Sequence, residues 1–283
     1  PYVVWMALFL VAPIIMVVVY AFSTAAGDFT LENFARMGTY TAVFTRSFKL
    51  AIIATLIALL IGYPVSYMLS KEGPQVQRIA MVLIMLPMWM NFLLRTYSWM
   101  SILENNGLLN QLFQQIGLID LYNQIAMHFA SDPAAYVPID HFQMIGTQGA
   151  VVLGMVYNYL PFMILPIYSV LVKLDHSLIE AARDLGASSV QVFRKVILPL
   201  SLPGVLSGIT MVFVPSVSTF AISRLLGGGT QMMLGDLIEQ QFLGGAYNPQ
   251  LGAAIALVMM AIVVVCMLVM NRFGDGEEQA VML

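Results

Sequence analysis

The chain has 283 residues, 60% of them hydrophobic and only 10% charged, with a mean hydropathy of +0.85. That leaves too few polar side chains to cover a soluble globule, so the chain reads as an integral membrane protein. A net charge of -3 and a pI near 5.5 argue against a nucleic-acid partner, which needs clustered Lys and Arg, and the single cysteine, Cys266, excludes an internal disulfide or a cysteine metal site. The chain opens at Pro1 rather than Met, so further residues are expected to precede it, and its first apolar run is too long for a signal-peptide core.

A helix needs about 20 apolar residues to cross the hydrocarbon core. In chain order the stretches that qualify are 1–22, 50–69, 79–103, 149–172, 196–223 and 251–271, which makes one transmembrane domain of six spans. Arg95 interrupts the third. Prolines recur within the spans at Pro13, Pro64, Pro87, Pro161, Pro166, Pro203 and Pro215. Breaks at membrane depth are tolerated where protein or a water-filled cavity takes up the freed carbonyls, so this frequency fits a transport pathway better than a passive anchor.

Lys and Arg orient the spans. Lys71, Arg78, Lys173, Arg183, Arg194, Lys195 and Arg272 fall on one side, against Arg36, Arg46, Lys49 and Arg224 on the other. The richer side is expected to be cytoplasmic, together with both termini. The loop 104–148 then faces outward; it carries Glu104, Asp120, Asp132 and Asp140 and no Lys or Arg. Within it Leu108, Leu109, Leu112, Phe113 and Ile116 recur at helical spacing, which predicts a helix lying along the outer leaflet, and Asp132, Pro133 and Pro138 predict turns.

Between the fourth and fifth spans lies a polar island, 175–199, with six charged side chains: Asp175, Glu180, Arg183, Asp184, Arg194 and Lys195. Ser177 with Glu180 predicts a capping box, with Leu178, Ala181, Ala182 and Leu185 on one face and Gly186 as a left-handed stop. Ser188 with Gln191 predicts a second box, opening a stripe of Val190, Phe193 and Ile197. The pattern fits either an ordinary helical loop or a short amphipathic knob with an alanine face, small enough to enter another protein's groove.

Enzymatic chemistry is hard to build from these residues. None of the four lysines is followed by Ser or Thr, so no P-loop can hold a nucleotide. His128, His141 and His176 have no partner at metal-ligand spacing, and no Gly-x-Ser-x-Gly elbow occurs.

Glu180, Ala181, Ala182 and Gly186, followed by Val196, Leu198 and Pro199, resemble the EAA loop of ABC-importer permeases, with Val196 where isoleucine is usual. The segments 85–110, 157–188 and 225–243 are similar to spermidine/putrescine importer permeases of the PotB type, and the similarity runs over nearly the whole chain. The resemblance implies an all-α, MetI-like fold of six transmembrane helices with cytoplasmic coupling helices, in the bacterial inner membrane. It also implies a homologous second permease (PotC-like), a pair of ATP-binding subunits (PotA-like) that hold ATP and Mg, and an extracellular binding protein (PotD-like) delivering polyamine. This chain itself would bind no cofactor. Glu180, Ala181, Ala182, Asp184 and Gly186 would dock onto the ATPase.

A path for a polycation should offer carboxylates, amide oxygens and aromatic faces. Candidates are Trp89, Asn91, Tyr97, Trp99, Glu104, Tyr157, Asn158, Tyr159, Asp236 and Glu239. Interfacial Trp and Tyr also serve as plain membrane anchors. Arg95 would repel such a cargo, so it is expected to be structural, facing a carboxylate or carbonyls at the permease interface. Other cargoes (iron complexes, sulfate, phosphonates, sugars) fit the same machine. A secondary transporter is disfavoured by the island's motif and by the lack of an internal repeat.

Overall fold

The computed structural model describes residues 2–129, 136–245 and 247–281. Among the described residues the elements are helical, and extended pairing is limited to a bridge between Ser23 and Phe29. In chain order they are α1 (Tyr2–Ala21), α2 (Glu32–Ser70), α3 (Pro74–Met85), α4 (Phe92–Leu103), α5 (Leu108–Gln115) and α6 (Leu118–Phe129). There follow α7 (Gln148–Leu171), α8 (His176–Asp184), α9 (Ser189–Ser218), α10 (Ala221–Leu226), α11 (Leu234–Leu243) and α12 (Pro249–Val281). Single π-type turns interrupt α1 at Ala7–Val11 and α9 at Phe193–Ile197.

Five of these helices are long and apolar enough to span a membrane, and a sixth span exists only as a bent pair. The sequence reads 79–103 as one continuous span; the structure turns it by 90° between Pro74–Trp89 and Phe92–Gln115. The cause is local. A 3₁₀ turn at Leu86–Trp89 carries Pro87, Met90 goes extended, and the Asn91 side chain accepts from the N–H groups of Leu93 (2.8 Å) and Leu94 (3.4 Å). An N-cap of this kind starts a new helix instead of continuing the old one. The fifth span ends earlier than 196–223 and begins before it, because α9 starts at Ser189, stops at Ser218 and the chain restarts as α10.

The centre of the bundle is α2, α7 and α9, packed pairwise. Leu50 and Ala54 of α2 meet Val151 and Met155 of α7 at one level, and Ala58 meets Met163, Val205 and Val212 at the next. Small residues bring the backbones close. A Cβ on Gly204 would lie 2.8 Å from the Pro166 carbonyl oxygen, and one on Gly208 3.1 Å from that of Met163. Gly204 and Gly208 are four apart on α9, the small-xxx-small spacing of tightly packed membrane helices. Ser66 of α2 adds a hydrogen bond to the Ile164 carbonyl of α7 at 3.1 Å. Helix α1 touches the rest mainly through Val17 and Ala21 against Ala253 and Ala254 of α12, and its remaining surface is apolar and exposed.

Because α7 runs the full depth of the bundle, the segment before it and the island after it lie at opposite ends. The segment before it is a built cap. Helix α5 falls where the apolar spacing places it, and α6, which that spacing does not predict, follows it. Asn110 and Asn123 pin the returning chain through the backbones of Phe142 and Ile139, and the Phe142 ring sits edge-on to Phe113 and Tyr122. Pro138 lies in irregular chain, while Asp132 and Pro133 lie outside the described residues.

Candidate functional site

The island folds as two short helical pieces whose ends are set by local hydrogen bonds. Asp175 is the N-cap of α8, its carboxylate accepting from the Ser177 N–H at 2.9 Å, so the expected Ser177–Glu180 box gives way to a cap two residues earlier. At the other end Gly186 adopts φ +82°, the Gly186 N–H bonds to the Arg183 carbonyl and the Ala187 N–H to that of Ala182. This is a Schellman stop, which favours glycine because other side chains disfavour that φ. Ser188 and Gln191 form the reciprocal capping box, with bonds of 3.4 and 2.8 Å.

The two alanines divide. Ala182, with Ile179 and Ala187, packs against the core of α7 and α9, whereas Ala181 is exposed. Leu178 and Leu185, the latter 89% exposed, share the outward side with Ala181, Glu180 and Asp184. The island therefore presents a ridge of small and aliphatic side chains flanked by two carboxylates. A helix of this shape inserts into a complementary groove.

The expected path residues do not form one constellation. Trp99 and Tyr157 meet edge-to-face, with ring centroids 5.3 Å apart. Tyr157 also lines an apolar groove of about 630 Å³ between α2 and α7, with Lys49 and Gln148 at one end of it. Trp89 is 78% exposed, Tyr97 is exposed, and the Asn91 amide oxygen is engaged as a cap. Asn158 is 2% exposed; its NH₂ donates to the Gly154 carbonyl and its Oδ1 lacks a partner. Tyr159 reaches towards the Pro215 carbonyl at 3.5 Å. Glu104 opens onto a cavity of about 400 Å³ beside Asn105, Asn106 and Gln143.

Asp236 and Glu239 occupy a different setting from an open path. Arg224 of α10 pairs with both: its Nε lies 3.8 Å from Asp236, and Nη1 and Nη2 donate to the two oxygens of Glu239, Nη1 at 3.1 Å. Asp236, only 4% exposed, also accepts from the Ser223 hydroxyl at 2.5 Å and the Met233 N–H at 3.0 Å. Burial pushes its carboxyl above the usual range, opposed by Ser223, Met233 and Arg224. These carboxylates tie α10 to α11, and the clamp has no sequence signature because its partners are 12 and 15 residues apart across a loop.

Arg95 is enclosed by its own chain at 8% exposure rather than presented at a surface, and its Nε and Nη1 lack acceptors. No carboxylate pairs with it among the described residues.

Comparison with known proteins fits this geometry. Residues 54–276 match the family described as binding-protein-dependent transport system inner membrane component. The spermidine/putrescine transport system permease protein PotB of Haemophilus influenzae is 35% identical over 271 residues, 92% of this chain and 88% of that protein. Among solved structures, a bacterial ABC transporter that imports alginate superposes with a TM-score of 0.76 over 97% of this chain and 92% of its own, at 16% identity. The MetNI methionine ABC transporter gives 0.55 over 87% and 98%, at 19% identity. The likeness to both structures shows a shared fold. With a family match over most of its length and a relative at 35% identity, the chain belongs to the binding-protein-dependent transport system inner membrane components.

Proposed function

We propose that this chain is the permease subunit of an ATP-driven polyamine importer, forming half of a translocation path and coupling by alternating access to a separate ATPase. The observation that carries the cargo is the 35% identity to a spermidine/putrescine permease over 92% of the chain. The acid-bearing outer segment, with Glu104 free of an ion pair among the described residues, agrees with a cationic cargo.

In this reading the chain is multi-pass in the bacterial inner membrane, with both termini and the island in the cytoplasm. Leu178, Ala181 and Leu185 enter a groove on a PotA-like ATPase, Glu180 and Asp184 flank the contact, and Gly186 sets the turn that aims α8. ATP and Mg are held and hydrolysed by that partner, so closure of the ATPase pushes on α8, and α8 moves α7 and α9. A PotC-like permease completes the path, and a PotD-like protein delivers polyamine to the outer side. Trp99, Tyr157 and Glu104 meet it, by aromatic faces and a carboxylate.

The test is ATP hydrolysis by the reconstituted four-component complex. Spermidine or putrescine, presented by the binding protein, should stimulate it. Stimulation by an iron complex, sulfate or a phosphonate instead would transfer the cargo assignment, and polyamine uptake by this chain and its second permease without an ATPase would remove the importer mechanism.

A further inference from the structure

A cavity of about 310 Å³ lies behind α8, away from its exposed ridge, where the ends of α2, α7 and α8 meet the start of α9. Its floor includes Val192 and Ile197, both buried, while Ser70, Lys71, Arg183 and Ser189 also line it. The two cations come from different elements, Lys71 just after α2 and Arg183 from the last turn of α8. Neither has a carboxylate partner among the described residues, where ion pairs join Arg36 to Glu32 and Arg224 to Asp236 and Glu239.

Lys71 is not loose. Its Nζ stands 3.9 Å from the centroid of the Tyr67 ring, which is itself locked edge-on to Phe193 at 5.4 Å. A cation held over a ring keeps its N–H donors available, so the ammonium is positioned without being neutralised. Lys71, Arg183 and the Ser189 hydroxyl around one concavity match the several acceptor oxygens of a phosphate, while the Ser70 hydroxyl donates to the Tyr67 carbonyl at 2.9 Å. The volume exceeds what a bare phosphate needs and the floor is apolar, so the fitting ligand is an ester with an uncharged body. The site also sits where α2 and α7, both long and apolar enough to span a membrane, come to an end, and basic pockets between membrane helices commonly take anionic headgroups.

We propose that this cavity binds a phosphate ester through Lys71 and Arg183, and that the bound ligand ties α8 to the end of α2. The position favours the phosphate of an anionic lipid over that of a soluble ester. The site rests on the geometry alone; its effect on transport rests on the coupling role given to α8 above.

The experiment uses the assembled importer in vesicles of phosphatidylglycerol with phosphatidylcholine, and in phosphatidylcholine alone with glycerol 3-phosphate in solution. Bound phospholipid and phosphate ester are counted by native mass spectrometry after washing. Phosphatidylglycerol should be retained, and Lys71→Gln and Arg183→Gln should each lower retention about fivefold, the loss of one basic side chain near an anionic surface. Lys71→Arg should restore it. Lys71 stands outside α8, so its variants report even if Arg183→Gln fails to assemble. Retention of glycerol 3-phosphate with the same Lys71 dependence would support the site and assign it to a soluble ester. Equal phosphatidylglycerol retention by wild type and Lys71→Gln, with no glycerol 3-phosphate held, overturns the proposal. ATP hydrolysis is read in parallel: Lys71-dependent retention with hydrolysis indifferent to lipid leaves the site standing and removes only its link to coupling.

Discussion

Gly186 shows how little room one residue leaves when its backbone is decided. Its φ of +82° is disfavoured for side-chain-bearing residues, yet a Cβ there would meet nothing within 4 Å. The constraint is purely conformational, so substitutions should rank by tolerance of the left-handed region and not by size. Gly186→Val should impair uptake severely and Gly186→Asn mildly, at equal amounts in the membrane, the valine paying about 1–2 kcal/mol in the turn. Equal uptake by the two variants would show that the turn does not aim α8. Ser188, Gln191 and Gly186 are legible because caps and left-handed stops involve neighbours in sequence. Ser177 misleads because Asp175, two residues earlier, caps equally well, and the choice depends on where α7 lets go of the chain. Arg224 reads as an outer-face charge, and only the fold brings it to Asp236 and Glu239.

At the level of elements, α7 and α9 are held by contact distance. The nearest atoms to a Cβ on Gly204 include the Pro166 carbonyl oxygen at 2.8 Å and the Ile167 Cα at 3.1 Å, both backbone and unable to swing aside. Gly204→Ala should therefore destabilise the purified protein by about 1–3 kcal/mol, read as a lower thermal midpoint in detergent. Gly73→Ala is the control, since its Cβ meets nothing within 4 Å and its φ of -68° suits any residue. Identical midpoints for the two variants would remove the close approach as a source of stability. Composition alone locates the spans but not their breaks. Pro64, Pro161, Pro166, Pro203 and Pro215 all remain inside helices, whereas Pro87 accompanies the 90° turn. A proline removes one hydrogen bond in each case; the helix breaks where another group, here the Asn91 side chain, caps a new start.

For the molecule as a whole, the two ends of α7 should lie on opposite sides of the membrane. With Cys266, the single cysteine, replaced by Ser, Glu72→Cys at the island end should react with an impermeant thiol reagent only from the cytoplasm. Asn105→Cys, exposed beside the cavity at Glu104, should react only from outside. The reverse pattern would invert the assignment of the island to the ATPase side. By itself the sequence determined the membrane class, the all-helical fold and the motif of the polar island. Hydropathy and short-range hydrogen bonding act over a few to about 20 consecutive residues, and that range is visible in one dimension. Tertiary structure alone decided that the third span bends, that Ala181 faces out while Ala182 faces in, and that Asp236 and Glu239 are clamped by Arg224. It also brought Lys71 and Arg183 to one cavity. Each depends on side chains far apart in the chain meeting at a few ångströms, where packing and charge pairing depend on which helices are neighbours.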